Sequence, residues 1–208
     1  MFFNFALFDN SKMRSTSSFK DTIFKNSPPK FHGATLHEAT EWHGAAWPEP
    51  PADAETAQQH VYNYERLKQE MERLKKHDDE LDFFAREMRA RRVVDGKWSP
   101  KGLVNAGYDW LSAYGRSLAR PFWLLLVSLL LGVIIENSAK TGGALLTTAE
   151  AYGLSAANTL AILPFVKDAV SRADLSATMN IVGVMQGALG ALFLFLIGLA
   201  LRNRFRLK

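Results

Sequence analysis

Residues Ile181 to Leu201 read IVGVMQGALGALFLFLIGLAL, an apolar run in which Gln186 is the only strongly polar side chain. A helix rises 1.5 Å per residue, so about 20 such residues cross a hydrocarbon layer of about 30 Å; the stretch predicts a membrane span over 181–201. Residues Pro121 to Ile135, PFWLLLVSLLLGVII, form a second run interrupted only by Ser128. This run is short, and it predicts a span when its flanks extend it to about 119–138. Lys101, Arg116 and Arg120 precede the first span, and Arg202, Arg204, Arg206 and Lys208 follow the second, whereas the segment between them is balanced in charge. Basic residues favour the cytoplasmic side, so Arg116, Arg120, Arg202, Arg204 and Arg206 are the expected topology anchors, and both termini are expected in the cytoplasm.

Working outward, the averages hide this organisation. The 208 residues hold 25 bases and 21 acids, with a mean hydropathy of −0.09 and a pI near 9.3, as in a soluble basic chain. By segment the bases and acids are five and seven in residues 1–60, eleven and nine in 61–101, and nine and five in 102–208. The excess bases therefore stand at the edges of the apolar runs. A lipid bilayer accounts for them, and no nucleic-acid partner is expected. Without cysteine there is no disulfide framework, no thiolate zinc site and no cysteine nucleophile. Phosphate loops, dinucleotide fingerprints, nucleophile elbows and zinc-protease motifs are missing as well. Asp78, Asp79, Glu80 and Asp82 read as solvated charges on a helix, and His32, His37 and His43 as solvated side chains. The sequence thus predicts no enzyme: no catalytic residue, no cofactor and no metal site.

The segment between the spans is too apolar for an ordinary loop. Ala151 to Val166, AYGLSAANTLAILPFV, is too short and polar for a third span and breaks at Pro164, so it predicts a re-entrant or interfacial helix over 151–166. Two spans around a short broken helix are the layout of two-span ion channels. In that reading Asn158, Thr159, Glu150 and Pro164 are the candidate pore or re-entrant residues. Gly183, Gly187 and Ala191 repeat every four positions and permit close helix packing, with Gln186 available to hydrogen-bond across subunits.

At the other end, large apolar residues recur at Phe3, Phe8 and Met13, at Phe19 and Phe24, at Phe31 and Leu36, and at Trp42 and Trp47. Two residues before most of them stands a small one: Ala6, Ser11, Ser17, Thr22, Ala34, Thr40 and Ala45, with Pro29 the exception. A period of five suits neither an amphipathic helix nor a half-buried strand and suggests a solenoid. The pattern over residues 1–47 resembles the pentapeptide-repeat family. That resemblance implies a short right-handed β-helix with both the large and the small residue pointing inward.

Residues 48–59 hold Pro48, Pro50 and Pro51 and read as a linker. From 60 to 120 the sequence predicts a charged helix, seamed by Tyr64, Leu67, Met71, Leu74 and Leu81, and then a juxtamembrane amphipathic helix bearing Tyr108, Trp110, Leu111 and Tyr114. The stretches YERLK (Tyr64 to Lys68), DELDFFAREMRARR (Asp79 to Arg92), YGRSLARP (Tyr114 to Pro121) and LRNRFRLK (Leu201 to Lys208) look like the C-terminal region of bacterial membrane-anchored pentapeptide-repeat proteins. That resemblance implies a multi-pass protein of the bacterial inner membrane. The expected fold class is therefore mixed: a short β-helix, a charged α-helix and a two-span membrane domain over 121–208. Two functions fit this expectation. One is a homo-oligomeric, channel-like assembly; the alternative is a membrane-tethered scaffold that binds a cytoplasmic protein partner.

Overall fold

The structure, a computed structural model, describes residues 2–3, 5–138, 140–141, 144–163 and 175–205. Its elements are β1 (Phe2–Phe3), β2 (Ile23–Phe24), α1 (Ala54–Arg73), α2 (His77–Val94), α3 (Pro100–Ser112), α4 (Ala119–Glu136), β3 (Lys140–Thr141), β4 (Ala144–Leu145), α5 (Thr148–Thr159) and α6 (Ala177–Arg204). The chain divides into two compact units: the first runs to Arg116 and takes in residues 204–205, and the second is Ser117–Asn203.

The expectation of a pentapeptide-repeat β-helix over residues 1–47 is corrected. Among its described residues the chain is predominantly helical, and the N-terminal segment has one two-residue strand pair, β1 with β2, plus isolated bridges. The bridges join Leu7 to Lys30, Lys12 to Thr35, Ser18 to Glu41 and Ile23 to Ala46, each 23 residues apart, so one pass of chain lies parallel on the next. Slips in the five-residue period, from Met13 to Phe19, Phe24 to Phe31 and Leu36 to Trp42, interrupt pairing before a ladder can lengthen. Pro28 and Pro29 offer no N–H within one of those slips. Two passes of turns are not a stacked solenoid.

What the apolar period does build is an aromatic core. Phe8 stacks on Phe31 at 4.9 Å and Phe19 on Trp42 at 4.6 Å, while Phe31 meets Trp42 edge to face at 5.9 Å. Tyr64, Leu67 and Met71 of α1 and Phe83 of α2 close over these rings. Corners need left-handed backbone: Gly44 has φ 72°, and a Cβ there would stand 2.1 Å from the Asp21 Oδ1. Polar side chains of α1 and of the turn that follows it finish the dock. Asn63 donates to the Pro28 carbonyl, Arg66 to those of Phe31 and Ala34, Arg73 to that of Leu36 and Lys76 to that of Thr40. The buried Glu70 carboxylate accepts from the Leu36 N–H and pairs with Arg66 and Arg73, both at 2.9 Å.

His60 of α1 is 1% exposed, and neither ring nitrogen has a hydrogen-bond partner among the described residues. Burial pushes its pKa down; the Asn26 backbone opposes the shift without closing a hydrogen bond. The folded chain then holds His60 neutral where the unfolded chain, with an ordinary value of about 6.5, takes up a proton, so this contribution to stability is full above the ordinary value and is lost as pH falls through it. The urea midpoint of the first unit should therefore fall between pH 7.5 and 5.5. In His60→Leu that portion of the pH slope should vanish, and an unchanged slope would show that His60 is not its source.

In α2, Glu87 is buried and pairs with Lys68 of α1 at 2.6 Å and with Arg91 at 2.7 Å. Ser99 caps α3 by accepting from the Gly102 N–H at 3.0 Å, with Pro100 in the first turn. Its inner face is tied to α2 through Asn105, which donates to the Met88 carbonyl at 2.9 Å, and through Asp109, which takes Arg89 at 3.0 Å. Tyr114 is fully buried and donates to the Asn105 Oδ1 at 2.6 Å. Burial pushes its hydroxyl up to about 12, so it stays a donor.

Candidate functional site

In the second unit α4 and α6 are each long and apolar enough to cross a membrane, at 18 and 28 residues. These bounds place the helices at Ala119–Glu136 and Ala177–Arg204. Both present large apolar side chains outward, among them Phe122, Val127, Ile134, Val184, Met185 and Phe195. Between them sits α5, begun by a capping box in which the Thr147 Oγ1 accepts from the Glu150 N–H while the Glu150 carboxylate accepts from the Thr147 N–H. At 12 residues, about 18 Å, α5 is too short to span.

Ser155, Asn158 and Thr159 of α5 turn inward and bond to the two long helices. The Gln186 side-chain amide of α6 donates to the Ser155 Oγ and the Thr159 Oγ1, both at 2.7 Å. Ser155 in turn donates to the Leu129 carbonyl of α4 at 2.8 Å, and the Ser128 carbonyl lies 3.3 Å from the same Gln186 nitrogen. Near the last turn of α4, Asn158 donates to the Glu136 carboxylate at 2.7 Å. Glu136 is 1% exposed and Gln186 is 5% exposed. The Gln186 carbonyl, Oε1, is buried with no hydrogen-bond partner among the described residues.

Glycines make this approach possible. A Cβ on Gly132 of α4 would fall 2.2 Å from the Gln186 amide nitrogen, and one on Gly190 of α6 would fall 1.9 Å from the Thr159 carbonyl oxygen. Gly183 faces the Asn158 side chain at 3.1 Å. An apolar groove of about 380 Å³ runs between α4 and α6, lined by Leu124, Val127, Leu131, Met185, Leu189 and Gln186 itself, among others.

Of the residues singled out in the sequence, Asn158, Thr159, Gln186 and Gly183 come together here. Asn158 and Thr159 are buried and engaged inside one chain. Gly187 meets the Asn158 carbonyl with less constraint, a Cβ there standing 3.4 Å away, and Ala191 is half-buried. Glu150 stays apart from the cluster, exposed in its capping box. Arg116 belongs to the first unit, where it pairs with Asp82 at 2.9 Å. Arg120, Arg202 and Arg204 are exposed. Pro164 and Arg206 lie outside the described residues.

Sequence reading passed over Glu136, Ser155, Gly132 and Gly190. A signal for two of them was present. Ser128, Gly132 and Glu136 repeat every four positions along α4, the same interval as Gly183 and Gly187 on α6, and so mark one face. With the geometry in place, comparison with known proteins adds nothing further: no protein-family model, no curated protein and no solved structure matches this chain.

Proposed function

We propose that the protein is a non-enzymatic, multi-pass membrane protein of the ion-handling, channel-like class that works as a homo-oligomer with both termini in the cytoplasm. The observation that carries this reading is the buried polar cluster of Glu136, Asn158, Gln186, Ser155 and Thr159 inside a unit whose two long helices can cross a membrane. An ionisable group held between apolar spans is costly, and such groups mark ion and proton routes. Here the carboxylate supplies the charge, and the hydroxyls and amides supply neutral oxygens suited to a proton or a monovalent cation. The outward faces of α4 and α6 leave ample apolar surface for neighbouring copies or lipid.

The test is ion flux into liposomes containing the purified chain. Glu136→Gln keeps the shape and removes the charge, and it should lower flux at least tenfold while the thermal midpoint stays near that of the parent. Equal flux in parent and variant would sink the reading. No flux in either would leave the scaffold as the better account, which draws on the first unit being a separate compact body. In that case proteins retained by the chain should survive exchange of both long helices for unrelated spans.

A further inference from the structure

The inner face of α3 is committed to the first unit, and its outer face exposes several large apolar side chains. Asn105, Asp109 and Ser112 turn inward, and Gly102 is packed so closely that a Cβ would fall 2.1 Å from the Gly96 carbonyl oxygen. On the opposite side Leu103, Val104 and Trp110 are 52, 75 and 67% exposed, and Trp98, just ahead of the helix, is 89% exposed. At 100° per residue positions 103, 104, 107 and 110 lie on one stripe. An added Cβ at Gly107, in the middle of this stripe, would meet none of the described residues within 4 Å. Lys97 and Lys101 are exposed beside it. The expected aromatic set is thereby revised: Tyr114 is an interior residue, and the outward pair is Trp98 and Trp110.

We infer that this stripe is a membrane-surface anchor that seats α3 in the headgroup layer of an anionic bilayer. Two tryptophans around short aliphatic side chains, with flanking lysines, are the composition of an interfacial helix, whose rings favour headgroup depth and whose bases favour anionic lipid. Residues 113–118 alone join α3 to α4, so the inference rests on the reading of α4 as a span and extends it to the preceding helix.

The chain has no cysteine, so single-cysteine variants can be spin-labelled without background. Val104→Cys, Leu103→Cys, the exposed Gln59→Cys and Ile134→Cys on the outer face of α4 would each be labelled in full-length protein in nanodiscs of mixed zwitterionic and anionic lipid. Power saturation against oxygen and against a water-soluble nickel chelate reports the surroundings of each label. Labels at 103 and 104 should show an oxygen-to-nickel accessibility ratio several-fold above that at 59, and the ratio should drop when anionic lipid is omitted. High nickel access at both positions would overturn the inference. So would low access to both agents, which would instead place the stripe against a second copy. The label at 134 separates the two levels: if it too is open to nickel, α4 is not a span and the underlying reading fails as well.

Discussion

Gly190→Val is expected to unseat α5 from α6. The first added carbon would stand 1.9 Å from the Thr159 carbonyl oxygen and 2.8 Å from its carbon, both backbone atoms that no rotamer change can clear. The helices must separate, and the Gln186 bonds to Ser155 and Thr159 lengthen with them. Forced overpacking costs about 1–3 kcal/mol, and the lost bonds to a buried amide add about 1–3 kcal/mol. The matched control is Gly198→Val on the same helix, where none of the described residues lies within 4 Å of an added Cβ. Thermal midpoints in detergent should drop clearly for the first variant and scarcely for the second. Equal midpoints would mean that α5 does not pack where the glycine admits it.

Phe31→Ala should have the largest effect in the first unit. The ring is 1% exposed and touches Phe8, Phe19 and Trp42, so truncation empties the middle of the aromatic core. Deleting a buried phenylalanine costs about 3–5 kcal/mol, a large part of a small unit's stability. Phe5→Ala removes the same ring from a side chain that is 71% exposed and should change stability by no more than about 0.5 kcal/mol. Urea unfolding followed by tryptophan fluorescence checks both. Similar midpoints for the two variants would argue that the ring stack is not the core.

The two long helices were legible because a run such as Ile181 to Leu201 needs only length and apolarity to be read. The five-residue period located side chains of the first core, including Phe19, Phe24, Phe31 and Trp42, all of them buried. It did not determine the backbone. Spacing says which side chains share an interior, whereas strand length depends on where amides meet, and the slips and prolines left isolated bridges instead of ladders. The polar cluster was half visible. Asn158, Thr159 and Gln186 stood out as polar residues in apolar surroundings, while Glu136, which follows directly on the first apolar run, was passed over. The four-residue interval from Ser128 through Gly132 to Glu136 marks its face of α4, but its burial depends on how α5 folds back beside that helix, which is a tertiary fact.

The dock of α1 on the N-terminal passes has a consequence for how the sequence can change. Asn63, Arg66, Arg73 and Lys76 all reach carbonyl oxygens, at residues 28, 31, 34, 36 and 40, and none of these contacts reads a side chain. The exposed side chains nearby, such as His32 and Thr35, are therefore free to drift without loosening the grip. Length is not free in the same way: inserting or deleting one residue between Pro28 and Thr40 would move every downstream acceptor out of step with a helix whose donors are fixed. The exposed positions of the segment should accumulate substitutions readily over evolutionary time, whereas buried Phe31, Ala34, Leu36 and Thr40 and the residue count should be kept.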